Sequence, residues 1–241
     1  MCILVTQSPD DFLPANSIPL ASKLCLPKDI IAFDINQGCS GFVQALCLLN
    51  NLTKRYSDAL LITADRYRSK LGSNDRSTNA VFSDGASLSI WRADTNYEVF
   101  YESHLTDGSK RNLLYHNVDD AASGIPLHMS GTEVWMFTKQ KVVPEIIRAI
   151  DFCRKEKLEI KKVYLHQASK VVIDGIVNSL PLSVQDNIPI NYGRYGNTVS
   201  STIPILIKDC PFKLKPKEVV LFCGFGVGLS ASIAVYGVKH A

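Results

Sequence analysis

Apolar positions follow two patterns along this chain: short uninterrupted runs, and longer stretches in which they recur every three or four residues. The short runs predict strands over 2–6, 30–35, 59–64, 86–91, 162–165, 219–223 and 230–236. The longer stretches predict helices, most clearly over 41–51, 132–156 and 170–180. Strands that are apolar at successive positions are typical of sheets covered on both faces by helices. The order of the elements therefore predicts an α/β protein with covered sheets.

Residues 102–126 interrupt this order, because they are polar and irregular and contain the turn signals Asp107-Gly108 and Asp119-Asp120. We interpret the segment as an excursion between two halves, and we place the two domains at 1–95 and 96–241. A faint repeat supports the division. In each half an apolar strand ends at a polar corner that opens a helix, at 31–39 and again at 163–169.

Charge and composition exclude several classes of protein. The 26 Lys and Arg exceed the 23 Asp and Glu by only three, which gives no basis for nucleic-acid or anionic membrane binding. No stretch approaches the ~18 apolar residues of a membrane helix, and the start lacks a signal peptide, so we expect a cytoplasmic protein. The seven cysteines show neither C-x-x-C spacing nor a nearby histidine pair, and the spacing predicts no metal site and no disulfide framework.

Three polar corners are candidates for chemistry. Cys39 stands among small residues in 36–42 (NQGCSGF), between a predicted strand and a predicted helix. This is the form of a nucleophile elbow, and the start of a helix favours a thiolate. A free cysteine is also commonly a small buried hydrophobe, and the corner alone leaves that alternative open. His166 directly follows a predicted strand, and Asn197 lies in a glycine-flanked turn; each alone fits a structural role.

Taken together and in this order, the three corners resemble the β-ketoacyl-[acyl-carrier-protein] synthase III family of thiolase-like condensing enzymes. The cysteine motif of the family matches 34–42, its HQA motif 166–168, its GNT motif 196–198, and its glycine-rich C-terminal loop 224–228. Weaker matches occur at 63–65, 75–78 and 82–86. The resemblance implies a thiolase-like fold of two duplicated halves in an α-β-α-β-α layering. Relatives carry elements before the strand at 2–6, so it also implies a first half that lacks its N-terminal elements.

The resemblance implies a decarboxylative Claisen condensation. Cys39 takes the acyl group of an acyl-CoA, and His166 and Asn197 stabilise the enolate formed from a malonyl-carrier protein. The backbone N–H groups of Cys39 and Val227, beside Gly226, form the second oxyanion site. Acyl-CoA and an acyl-carrier protein are the expected partners, and no cofactor is expected.

Further residues receive roles by the same resemblance, each with a plainer alternative. Arg76 would contact the CoA adenine, and Lys170 would dock the carrier protein, although an exposed helix lysine is commonly only a solvated charge. Phe12 or Leu13 would reach the acyl pocket of a second subunit in a homodimer, or would simply be core. Three residues would line the acyl tunnel or, equally, belong to the core: Met129, Trp135 and Phe137.

Two other functions stay open at this point. The same scaffold supports transfer of the acyl group from Cys39 to an oxygen or nitrogen nucleophile. The absence of residues before the first strand fits a non-catalytic partner subunit or a truncated fragment.

Overall fold

The computed structural model describes residues 1–52, 58–92 and 96–239. Strands β1–β4 form one four-stranded sheet, and β5 and β8–β10 form a second. The strands are β1 (Cys2–Val5), β2 (Ala32–Ile35), β3 (Ala59–Asp65), β4 (Gly85–Trp91), β5 (Tyr97–Thr106), β6 (Leu114–Tyr115), β7 (His128–Met129), β8 (Glu159–Leu165), β9 (Glu218–Gly226) and β10 (Ser230–Val238). The short strands β6 and β7 pair with each other.

The first sheet has the order β2-β1-β3-β4 and is parallel except for its last strand. The second has the order β5-β10-β9-β8, in which β8 and β9 run parallel and the other pairs antiparallel. Parallel pairs need crossover connections, and the helices of the chain supply them.

The helices are α1 (Ser17–Lys23), α2 (Gly41–Leu52), α3 (Arg76–Asn79), α4 (Val118–Ala122), α5 (Gly131–Phe137), α6 (Val143–Lys155), α7 (Lys170–Val177), α8 (Leu182–Gln185), α9 (Tyr192–Tyr195) and α10 (Thr202–Asp209). Helix α1 packs on the outside of the first sheet, α2 and α10 lie between the sheets, and α6 covers the second sheet. The predicted five layers, α-β-α-β-α, are thus confirmed.

The central layer holds the elements of the two halves together. Phe42 of α2 and Phe222 of β9 meet edge to face, and Tyr164 of β8 stacks on Phe222. Gly41 allows the start of α2 to lie close to β1, because a Cβ at this position would lie 2.4 Å from the Val5 side chain. Close packing of α2 therefore fixes where its first turn lies.

The main difference from the sequence prediction is β5, a ten-residue strand that the prediction missed. Its last residues, from Glu102 to Thr106, fall in the segment predicted to be irregular. The strand lies at a sheet edge, so exposed and half-buried residues alternate along its second part and no apolar run marks it. The predicted helix over 132–156 is also modified, since a π-helical turn, Thr138–Val142, separates α5 from α6.

One further expectation needs correction. Strand β4 is not covered on both faces, because Leu88 and Ile90 are 51% and 63% exposed. The predicted layout of strand, polar corner and helix is present in both places, with β2 before α2 and β8 before α7. The two corners differ locally, because Cys39 lies in a 3₁₀ turn that leads straight into α2, whereas an extended segment separates His166 from α7. The predicted boundary between residues 95 and 96 adjoins 93–95, which lie outside the described residues, and stays a prediction.

Candidate active site

The Cys39 corner is built by glycines and by a tight turn. Gly38 has φ +53°, and a Cβ there would lie 2.3 Å from Gln7 Oε1. A Cβ on Gly224 would lie 2.6 Å from the Cys39 carbonyl oxygen, and one on Gly226 would lie 3.1 Å from the Cys39 Sγ. Only glycine leaves this space, so the strand β9 runs directly against the turn that carries the thiol.

Cys39 is 6% exposed. Burial, together with the negative charge of Asp65, raises the pKa of its thiol, while a backbone hydrogen bond acts in the opposite direction. The pKa of the buried thiol is therefore raised where the helix start was expected to lower it, because desolvation outweighs the backbone hydrogen bond.

His166 follows β8 and is 1% exposed. Its Nδ1 atom lies 2.7 Å from Thr202 Oγ1, and its ring meets Phe225 edge to face. Burial lowers the pKa of the imidazole to about 3, and the nearby Val199 carbonyl opposes that change only in part. The ring is therefore neutral at physiological pH.

Asn197 is held at both its backbone and its side chain. Its N–H donates to the Val81 carbonyl at 2.9 Å, and its carbonyl accepts from Ser83 N–H at 2.9 Å. Its Oδ1 accepts from Val199 N–H at 2.9 Å, which fixes the orientation of the amide and leaves the Nδ2 donors for the cavity. Val199 has φ +55°, a strained conformation for a β-branched residue, and it opens the turn before α10 as Gly38 opens the turn before α2.

These three side chains meet at one cavity of about 370 Å³. Gly226 and Val227 line it beside Cys39, and Met129 and Trp135 line it as predicted from the resemblance. Most of the wall is apolar, so the few polar groups converge where an acyl thioester would react.

The sequence missed two residues of this site. Tyr67 lines the cavity, packs against Phe82 with the two ring centroids 5.1 Å apart and the rings tilted by 38°, and donates its hydroxyl hydrogen to Gln7 Oε1 at 2.7 Å. Thr202 contacts His166 from the first turn of α10. Neither stands in a motif, and both reach the site only through packing of distant elements.

Other predicted positions lie elsewhere. Phe137 does not line the cavity; it is buried in the core, because the helix turns that side away. Arg76 is exposed and outside the cavity wall. Phe12 and Leu13 are 85% and 88% exposed, so neither is core. Lys170 is exposed and forms an ion pair with Asp174 at 2.5 Å. The CoA, partner-subunit and docking roles of these four residues stay predictions.

Two sheets around a central helix pair, with a cysteine, a histidine and an asparagine on one cavity, define a thiolase-like fold with the residues of an acyl-transfer site. The family models agree. The model for 3-oxoacyl-[acyl-carrier-protein] synthase III matches residues 33–108, and that for its C-terminal part matches 152–238. The chain belongs to the 3-oxoacyl-[acyl-carrier-protein] synthase III family.

Individual relatives are similar over nearly the whole chain. The β-ketoacyl-[acyl-carrier-protein] synthase III of Streptococcus agalactiae serotype III (strain NEM316) is 30% identical, over 95% of this chain and 74% of its own. The structure of the Burkholderia xenovorans LB400 3-oxoacyl-(acyl-carrier protein) synthase is 29% identical, with a TM-score of 0.85 over 99% of this chain and 73% of its own. The synthase III structure from Thermus thermophilus is 26% identical and also has a TM-score of 0.85, and the match covers 100% of this chain and 77% of its own.

Across the described residues, no helix combines the length and hydropathy needed to cross a membrane.

Proposed function

We propose that this protein is a β-ketoacyl-[acyl-carrier-protein] synthase III that condenses an acyl-CoA primer with a malonyl-carrier protein in fatty acid or related acyl-chain biosynthesis. The observation that carries the proposal is the meeting of Cys39, His166 and Asn197 at one apolar cavity. The three residues come from separate parts of the sequence, and each is held there by its own backbone or side-chain contacts.

In the first half-reaction, the Cys39 sulfur attacks the thioester carbonyl of the acyl-CoA. The acyl–CoA bond breaks, and the thiol proton leaves with the CoA sulfur, which gives an acyl-enzyme and free CoA. Charge develops on the carbonyl oxygen during this step. Backbone N–H groups at Cys39 and Val227 are the proposed donors to it, and Gly226 leaves the space that the acyl group needs.

In the second half-reaction, the malonyl group loses CO₂, and the electron pair moves onto the thioester as an enolate. Asn197 donates to the enolate oxygen through Nδ2, since Val199 N–H already occupies its Oδ1. A neutral His166 donates as well if its proton is on Nε2. The enolate carbon then attacks the acyl group on Cys39: the new carbon–carbon bond forms, the carbon–sulfur bond breaks, and the departing Cys39 thiolate takes a proton from solvent.

Thr202 is placed to set which ring nitrogen of His166 holds the proton, because its Oγ1 lies 2.7 Å from Nδ1. The Val199 carbonyl competes, because it accepts from the same hydroxyl at 3.2 Å and also attracts an imidazole proton. We propose that the hydroxyl donates to Nδ1, which keeps the ring proton on Nε2, where it donates into the cavity. Thr202 is thus a positioning residue for the proposed decarboxylation.

The chemistry uses side chains and backbone donors of this chain and no cofactor. A homodimer is proposed on two grounds. Among the described strands, β2 pairs with β1 alone, which leaves an edge that a second copy can extend. Phe12 and Leu13 are also largely exposed, on a loop that is tied to this edge strand because the Asn16 N–H donates to Asp34 of β2.

The carrier protein is proposed to dock near α7, where Lys170 lies close to the cavity mouth formed by Val171. Its binding should weaken at high ionic strength, because exposed charge pairs are screened by salt. Isothermal titration with malonyl-carrier protein at two salt concentrations measures this. Affinity that does not change with salt would contradict the electrostatic part of the docking proposal.

The full reaction is tested by incubating the protein with acyl-CoA and malonyl-carrier protein and then measuring the intact mass of the carrier protein by mass spectrometry. A 3-oxoacyl product that is absent with Cys39→Ala supports the proposal. If Cys39 becomes acylated but the acyl group appears on added alcohols or amines instead, the protein is an acyltransferase to such nucleophiles.

A further inference from the structure

Helix α2 carries a second thiol that the proposed reaction does not use. Cys47 lies two turns beyond Cys39, and its sulfur, a Glu102 carboxylate oxygen and a His104 ring nitrogen all lie within 4.8 Å of one another. The three side chains line a separate cavity of about 260 Å³. Cys47 is buried, whereas Glu102 and His104 are exposed.

The fold brings these residues together from two distant segments. Glu102 and His104 are two positions apart on β5, so they project from the same face of the strand. That face lies against α2 in the central layer. The spacing of the cysteines and histidines along the chain predicted no metal site, because Cys47 lies more than fifty residues from Glu102 and His104.

The imidazole is oriented by a neighbouring strand. His104 lies opposite Ser232 of β10, and its Nδ1 atom is 3.1 Å from the Ser232 Oγ. Metal-binding histidines are commonly held in this way through the ring nitrogen that does not bind the metal. With Nδ1 engaged by Ser232, Nε2 is the ring nitrogen left to coordinate a cation.

We propose that Cys47, Glu102 and His104 form a zinc-binding site. A thiolate, an imidazole and a carboxylate are ligands that Zn²⁺ accepts, and three protein ligands leave a fourth position for water from the cavity. Ligand distances of ~2.0–2.3 Å place two ligand atoms of a tetrahedral ion about 3.5 Å apart. The distances between the ligand atoms therefore need to shorten by about 1 Å. Rotation of the exposed Glu102 and His104 side chains can bring the atoms this much closer.

The Cys47 sulfur and the Glu102 carboxylate lie within 4.8 Å of each other and line the same cavity, so a cation bound there would contact both. On binding, the S–H bond breaks, the proton passes to solvent and an S–Zn bond forms, with no change of oxidation state. One cation then compensates both the thiolate and the carboxylate.

The test is a titration of the reduced, full-length protein with Co²⁺, a spectroscopic substitute for Zn²⁺. We expect one equivalent to give the sulfur-to-cobalt charge-transfer band and the visible bands of a tetrahedral site, both removed by added Zn²⁺. Cys47→Ser should abolish the charge-transfer band. His104→Gln should weaken Zn²⁺ binding at least about tenfold. Because His104 is exposed, this variant should fold even if the buried Cys47→Ser substitution is not tolerated.

Cys25→Ser is the matched control, because Cys25 is an exposed thiol far from the cluster in sequence, and it should leave the spectrum and the affinity unchanged. The proposal is overturned if the wild-type protein gives no charge-transfer band with excess Co²⁺. It is equally overturned if the band survives Cys47→Ser or if His104→Gln binds Zn²⁺ as tightly as the wild type. None of these readouts depends on condensation activity, so the result stands apart from the proposed function.

Discussion

Because His166 is buried and neutral, the stability of the protein should depend on pH in a defined direction. Its pKa in the folded protein is about 3. In the unfolded chain the same ring has the ordinary value of ~6.5. Below that value the unfolded chain binds a proton that the folded protein does not bind. The free energy of unfolding therefore falls as pH decreases from ~6.5 towards the folded pKa, and above that window this ring has no effect.

The size of the effect follows from the difference between the two pKa values. Each pH unit below the unfolded pKa costs about 1.4 kcal/mol while the folded ring stays neutral. At pH 5, about 1.5 units below, His166 should lower the free energy of unfolding by about 2 kcal/mol relative to pH 8. The variant His166→Gln has no titrating ring at this position and should lack that part of the pH dependence.

Urea denaturation of both proteins at pH 8 and pH 5 measures the effect. The other histidines and the carboxylates contribute to both proteins alike, so the difference between the two pH dependences isolates His166. If the wild type and His166→Gln lose the same stability between pH 8 and pH 5, the ring titrates alike when folded and unfolded. The description of His166 as a buried neutral donor would then be wrong.

Substitutions at four positions should separate the roles in the active site. His166→Ala or Asn197→Ala should slow malonyl decarboxylation about 10²- to 10³-fold and leave acylation of Cys39 largely intact, measured by release of labelled CO₂ beside intact mass. Thr202→Val should slow decarboxylation about tenfold and move the His166 proton to Nδ1, which ¹⁵N NMR shifts of the ring measure. Thr202→Ser keeps the hydroxyl and should therefore keep both the rate and the Nε2 tautomer of the wild type. Gly226→Ala should block acylation, because the new Cβ lies 3.1 Å from the sulfur, and intact mass after acyl-CoA treatment measures it.

Each of these predictions has a clear contrary result. Equal loss of acylation and decarboxylation in His166→Ala would contradict the division of labour between the half-reactions. A Thr202→Val protein that keeps the Nε2 tautomer would show that the hydroxyl does not position the ring. Normal acylation of Gly226→Ala would show that the cysteine reacts from a different position than the one described.

The three chemical corners were predictable from the sequence because each stands in a short local motif, two of them just after a strand and Asn197 in a glycine-flanked turn. Cys39, His166 and Asn197 all meet at the cavity, as the resemblance implied. The thiol pKa was not predictable in the same way. The motif indicates the start of a helix, but burial is set by β9 and the loop after it, which come almost two hundred residues later.

What the sequence missed depends on packing between distant elements. Strand β5 lies at an edge, and its mixed polar and apolar residues carry no buried-strand signal. Thr202 acquires its role only because α10 meets the end of β8 between the two sheets. Phe137 was assigned to the tunnel because the resemblance places tunnel residues around the start of this helix, but two residues beyond Trp135 the helix turns its side chain towards the core.

Cys39 is proposed as the nucleophile that receives an acyl group from acyl-CoA. This is measured by the intact mass of the full chain after incubation with acetyl-CoA and a series of longer acyl-CoAs, beside Cys39→Ala. We expect a gain of one acyl group in the wild type and none in the variant. An unchanged wild-type mass in a folded sample, or an equal gain in Cys39→Ala, would contradict this proposal.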